Sequence, residues 1–193
     1  MNVFGNTLSD AEIIKLRDSH ALTLFPFDVK RLRVAHYKLS PRTVWTLETK
    51  PDGKRSRRLE HNFEEEPQFV FQPNAYHLFE VEETVLLPEG VEAHFAPVSE
   101  FALRGFGLVA GLLDAGYGQI AGKTQKLFFG VKNQLDEKNL FDREFGLAHM
   151  SLVSLAGASL LRQELSKAEQ ERLAGRDPER WRRANDDGVY YPE

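Results

Sequence analysis

No cysteine occurs in the 193 residues. That excludes disulfides, a thiol nucleophile and thiolate metal sites, and a cytoplasmic setting is the expectation. No apolar run is long enough to span a bilayer, and the start carries no signal-peptide pattern, so no membrane partner is expected. An excess of positive charge is also missing. Lys and Arg number 25 against 29 Asp and Glu, a net charge of −4. This balance speaks against broad binding to a nucleic-acid backbone, which depends on many cationic contacts to phosphate. Neither an internal repeat nor a low-complexity segment is present. What remains, 41% hydrophobic and 28% charged, is an ordinary globular composition at a length that can bury one real core.

Local signals divide the chain in three. Ser9 followed by Glu12 forms a capping box, and Ile13, Ile14 and Leu16 follow it, which predicts a short helix over about 10–18. From there to about residue 158 the chain reads as many short strands separated by turns, the pattern of a β-sandwich or barrel. The segment "TLFPF" reads as an extended connection, and "RLRVAHYKLSPRTVWTLET" and "TQKLFFGVKN" read as strands. The basic cluster "KPDGKRSRR" is a turn and reads as a solvated hairpin tip. The segment 159–193 is helix-forming and charged, with Gly175 as a stop. It is expected to extend the same domain and to dock through Leu160, Leu161, Leu165 and Leu173, with Trp181 as anchor.

"GLVAGLLDAGYGQI", residues 107–120, holds four glycines around one Asp and one Tyr. Glycine this dense lets a backbone turn tightly or lie close to a partner. A phosphate loop is excluded although Gly122, Lys123 and Thr124 follow. The glycine such a loop needs five residues before Gly122 is Tyr117, and the lysine leads into a strand rather than a helix. From the residues alone, Asp114 capping a turn and Tyr117 in the core, or both facing a ligand, are open alternatives.

Histidine offers no metal pattern. His20, His36, His61, His77, His94 and His149 show no ligand spacing on one helix. His36 and His94 could meet in the fold, though strand histidines with hydrogen-bond partners are the plainer reading. Ser99 with a distant histidine lacks the Gly-x-Ser-x-Gly elbow of a hydrolase.

The order of five segments resembles the deoxycytidine triphosphate (dCTP) deaminases and the related trimeric deoxyuridine triphosphatases (dUTPases). These are "LSDAEI", "VAHYKLSP", "LLPEGVEAHFAPVSEFALRGFGL", "VAGLLDAGYG" and "NLFDREFGLAHMSLVSL". The likeness covers most of residues 8–156 and is strongest over 86–118. It implies a mainly β fold, a distorted barrel or jelly roll of the dUTPase-like (β-clip) type, with a short N-terminal helix and a helical C-terminal tail. It further implies a homotrimer whose pockets are built from neighbouring subunits, and a deoxypyrimidine nucleotide as ligand. Asp114 and Tyr117 match the turn that holds deoxyribose and base. Ser99 and Arg104 match the phosphate-binding segment, so Ser99, Arg104, Asp114 and Tyr117 are the candidate binding residues, expected to converge on one pocket.

Four departures bear on activity. The deaminases carry a Glu three residues before an Asn, and it shuttles protons while water adds to the ring without a metal. With Asn133 as that Asn, the Glu position is Gly130, which cannot do acid–base work. Residues 115–136 contain no Glu at all, and Asp136 is the first acid after Asp114. The stretch to Asn133 is longer than the family pattern, with "AGKTQK" as the excess. The phosphate segment reads Pro97-Val98-Ser99-Glu100, with one arginine fewer, and Glu100 repels a triphosphate. In place of the dUTPase's glycine-rich C-terminal lid stand Arg182, Arg183 and Gly188. In the dUTPases the catalytic acid is the Asp of the turn, here Asp114, acting with magnesium. The resemblance thus implies dCTP deamination in nucleotide metabolism. Two alternatives are a dUTP diphosphatase-type hydrolase using Asp114 and Mg, and a catalytically inactive nucleotide- or protein-binding homologue on the same trimeric scaffold.

Overall fold

The computed structural model describes residues 6–88, 90–115, 117–118 and 126–155. The expected boundary at 158 and the expected helical extension over 159–193, with Trp181, Arg182, Arg183 and Gly188, lie outside the described residues.

The chain is mainly β, as expected. In order it forms β1 (Asn6–Thr7), α1 (Asp10–Asp18), β2 (Thr23–Phe25), β3 (Leu32–Arg33), β4 (His36–Leu39), β5 (Pro41–Thr49), β6 (Arg55–Asn62), β7 (Gln68–Phe71) and β8 (Tyr76–Val81). Then follow β9 (Thr84–Leu86), β10 (Val91–Pro97), α2 (Ser99–Leu103), β11 (Phe106–Val109), β12 (Leu112–Leu113), β13 (Phe128–Asn133), β14 (Asn139–Asp142) and β15 (Ala148–Ser154). One antiparallel sheet runs β12-β10-β15-β4-β3, with β1 added to β15; a second runs β11-β13-β8-β5-β6. The pairs β14-β7 and β2-β9 complete the described fold, and no sheet in it closes on itself.

Local chemistry accounts for the predicted helix. Ser9 Oγ accepts from the Glu12 N–H, and the Glu12 carboxylate accepts from the Ser9 N–H at 2.8 Å, so two orphan donors of α1 are satisfied reciprocally. The hairpin between β5 and β6 turns at Gly53, which takes φ +80, a conformation that favours glycine. The short helix α2 follows from no such signal. Its N-cap, Val98, supplies no side-chain bond.

The inner faces of the two main sheets share one core. Alternation along β8 and β13 buries Phe79, Val81, Phe129 and Val131 on one side. Phe95 of β10 meets Phe129 of β13 edge-on at 4.8 Å. Phe71, Phe79, Phe106 and Phe141 form the aromatic centre, with Phe79 and Phe141 at 4.9 Å. The opposite face of β8 carries Tyr76, Leu78 and Glu80, beside Lys132, Gly130 and Phe128 of β13. This outward face positions the site.

A hydrogen-bonded network of Arg31, Arg143, Glu82 and Glu83 fastens the corner between β8 and β9. Arg31 donates to Glu83 at 3.0 Å and to Glu82 at 3.4 Å, Arg143 donates to Glu82 at 3.1 Å, and the Ser40 N–H donates to Glu83 at 3.0 Å. Burial pushes the Glu83 carboxyl up to about 7, against the pull of the Ser40 N–H and Arg31. The folded chain therefore keeps a proton on Glu83 that the unfolded chain releases near the ordinary glutamate value of about 4.3. Stability from this group is present below that value and is lost as the pH rises toward 7, on the order of 3 kcal/mol. Urea unfolding at pH 5 and pH 7.5 should show a fall that Glu83→Gln removes. An unchanged difference in the variant would refute the assignment.

Candidate functional site

The outward face of the five-stranded sheet floors a cavity of about 730 Å³. Leu47 of β5, Arg55 and Arg57 of β6, Tyr76 and Leu78 of β8, Val109 of β11 and Phe128 and Gly130 of β13 line it. Leu113, Tyr117, Lys126 and Leu127 supply the rest of the described lining. The volume suits a small-molecule ligand, and the lining is mainly apolar with a few polar groups, as such sites usually are. No Asp or Glu is among the described lining residues, although the whole chain carries −4.

The glycine-rich turn forms one wall and is itself held by protein. The Tyr117 N–H donates to the Asp114 carbonyl at 3.0 Å, and the Leu87 N–H donates to the Tyr117 carbonyl at 2.9 Å. Gly118 takes φ +80, and a side chain there would press on Leu86 and on the Val85 carbonyl at 3.1 Å. The turn is thereby docked against β9, and the Tyr117 side chain lines the cavity.

Gly130 meets a specific neighbour. A Cβ built on it would lie 2.6 and 2.7 Å from ring atoms of Tyr76, with the phenol oxygen closer still. Tyr76 pairs with Lys132 and leans diagonally over Gly130, which pairs with Leu78. Tyr76 thus fills the volume that a side chain at 130 would occupy. Asn133, the Asn of that comparison, is buried and committed to structure. Its Nδ2 donates to the Gln72 and Glu137 carbonyls at 3.0 and 2.8 Å, and its Oδ1 accepts from the Leu135 N–H at 3.1 Å.

A carboxylate does stand on this face, on β8 rather than β13. Glu80 is buried beside Phe128 and accepts from Lys126 at 2.6 Å, Thr43 at 2.9 Å and Trp45 at 3.2 Å. Burial pushes its carboxyl up, but these donors outweigh burial and hold it below the ordinary range. It anchors Lys126 at the cavity. Arg57 reaches across the sheet, with its guanidinium 5.5 Å from the Trp45 ring centre and 4.4 Å from that of Phe128, in cation–π range.

Of the four candidate residues, only Tyr117 lines this cavity within one chain. Ser99 is exposed at the start of α2. Arg104, at its end, lays its guanidinium 4.3 Å over the Phe145 ring, while its carbonyl accepts from Asn139 at 2.6 Å. Asp114 is exposed and, among the described residues, closes its turn through the backbone. The other acids nearby also lie off the cavity lining: Asp136 accepts from Asn74 at 2.9 Å, and Glu100 belongs to α2. Among the described residues no three His, Asp or Glu side chains group to hold a metal. Asp114 alone does not fit a resident magnesium site. His36 does not meet His94. It stacks on His149 at 4.3 Å because β4 and β15 are neighbours, while His94 bonds to Glu92 at 2.7 Å.

Arg55, Arg57, Tyr76 and Phe128 went unread as site residues. The basic cluster looked like a solvated tip, whereas the pairing of Leu47 with Arg57 and of Thr49 with Arg55 turns both arginines onto the outward face.

No protein-family model and no curated protein sequence matches the chain. Solved structures do. A 2′-deoxycytidine 5′-triphosphate deaminase from Agrobacterium tumefaciens superposes with TM-score 0.58 at 14% identity, over 83% of this chain and 54% of that one. The chain therefore spans about half the length of that deaminase. A dUTPase from phage phi11 of S. aureus and one from Staphylococcus bacteriophage 80alpha both match at TM-score 0.43, with 13% and 11% identity. They cover 69% of this chain in each case, and 90% and 82% of their own lengths. The deaminase likeness establishes that this chain has a dCTP deaminase/dUTPase-like fold.

The packing of Tyr76 against Gly130 is open to a double-mutant cycle. Gly130→Ala should cost about 1–3 kcal/mol by overpacking in the parent chain and close to nothing in a Tyr76→Ala background. Equal costs in both backgrounds, measured by urea unfolding, would show that the two residues do not share that space.

Proposed function

Starting from a fold shared with a dCTP deaminase, we propose that this chain binds a deoxyribonucleotide in the cavity and does not deaminate it. One observation carries the reading. Tyr117 and Gly130, the positions that the resemblance gives to the sugar contact and to the proton shuttle, line the same cavity. A planar ring at 117 offers a face to deoxyribose, and apolar side chains of the sheet offer a surface for a base. Deamination needs a group that carries protons at the ring, a contribution of about 10²–10⁴-fold. Gly130 supplies none, and the space above it belongs to Tyr76.

The same reading includes a homotrimer. Ser99 and Arg104 lie off the lining of their own chain's cavity, so they would reach a nucleotide only from a neighbouring subunit. Light scattering should give a particle of three 22.0 kDa chains. A monomer at micromolar concentration would remove Ser99 and Arg104 from the site. No helix among the described residues is long and apolar enough to cross a membrane.

Thermal unfolding with a panel of deoxynucleotides and ribonucleotides tests the binding. A ligand at 100 times its Kd adds about 2.7 kcal/mol, and the deoxy forms should stabilise more than the ribo forms. The same samples should release no ammonia from dCTP. Absence of any nucleotide-dependent shift, or family-like ammonia release, would overturn the proposal.

A further inference from the structure

We infer that His36 and His149 form an acid-released clasp: stacked as neutral rings they hold β4 against β15, and protonation of the pair opens the contact.

The clasp follows from strand register. β4 lies between β3 and β15, and His149 pairs with Lys38, two residues beyond His36. His36, Lys38 and His149 therefore share the outward face of their sheet, while Tyr37, Leu39, Ala148 and Met150 between them are buried on the other. The two imidazoles are half-buried and stack at 4.3 Å, with 22° between their planes. As neutral rings they gain from this contact. As two imidazolium ions they set like charges at the same separation.

The neighbouring charges act in the same direction. Arg33 of β3 stands opposite His36, and Lys38 stands opposite His149. Arg33 donates to the Lys30 and Leu32 carbonyls, and Lys38 donates to the Glu144 carbonyl at 3.2 Å. On the far side of β15, β10 sets Ala96 opposite His149, and its His94 is bonded to Glu92 at 2.7 Å. The turn at 143–145 brings Glu144 and Arg143, the latter donating to Glu82. Glu100 of α2 is the acid whose charge favours the His149 imidazolium. Burial, then His36, Lys38 and Arg33, outweigh it and hold the His149 ring below the ordinary histidine value.

A histidine depressed in this way binds its proton more readily in the unfolded chain. The clasp is therefore complete above about pH 6.5 and is lost as the pH falls through that value. The opposite end of β4 responds with the opposite sign. There the Ser40 N–H donates to Glu83, whose burial favours the low-pH side. Acid thus secures β4 at its Ser40 end and releases it at His36, and a loss of order at His36 on acidification cannot come from Glu83.

Hydrogen exchange of the full chain, corrected for the pH dependence of the intrinsic rate, tests this. From pH 7.5 to pH 5, protection of amides 36–39 should fall about tenfold relative to those of β13, the factor carried by one unit of displacement in a proton equilibrium. His36→Phe keeps a ring over His149 and cannot charge, so the fall should vanish in that variant. Proton NMR titration reads the coupling in the parent chain without any substitution. The ring signals of His36 and His149 should each move in two steps, because the second proton enters against the first. Unchanged protection at pH 5, an equal fall in His36→Phe, or one independent step for each ring would overturn the inference.

Discussion

Gly130 and Tyr76 share one volume, and the character of the site depends on how that volume is divided. β13 brings the backbone at 130 to the outward face, and β8 sends a phenol across it. A side chain at 130 and the observed rotamer at 76 exclude each other. With glycine at 130, the Tyr76 ring covers the backbone of β13 on this face.

The electrostatics of the face follow from the same arrangement. Glu80 would be costly to bury alone, and it is satisfied by three donors, of which Lys126 also lies at the cavity. Arg57 is placed by aromatic faces. The site is thus assembled mostly from side chains of one sheet, with Leu113 and Tyr117 adding one wall. That wall is fixed in turn by the Leu87 N–H donating to the Tyr117 carbonyl and by the close approach of Gly118 to β9. Rigid elements of this kind hold a binding geometry better than free loops do.

Much of the fold was legible because its signals are local. The capping box at Ser9 and Glu12 set the helix to Asp10–Asp18, and alternation marked the strand at 128–133. The dense glycines around Tyr117 marked a tightly docked turn. Helix α2 was missed because it has five residues and no side-chain cap. The site was legible only in part, for a physical reason. Arg55 and Arg57 reach the cavity through the β5–β6 register, and Tyr76 meets Gly130 through the β8–β13 register. Register between strands far apart in sequence leaves no mark in any single window. Within one chain Ser99 and Arg104 do not join Tyr117, and a neighbouring subunit is the arrangement that would unite them.

The central claim is that a deoxynucleotide lies on this outward face, against Tyr76 and Tyr117. The chain has five tyrosines, few enough for their ring protons to be assigned one by one by substitution to phenylalanine. An isotope-edited nuclear Overhauser experiment on the complex with dCTP would read the contact directly. Cross-peaks from deoxyribose protons to the Tyr117 ring, and from base protons to the Tyr76 ring, are the predicted result. A bound nucleotide whose protons show contacts to neither ring would contradict it.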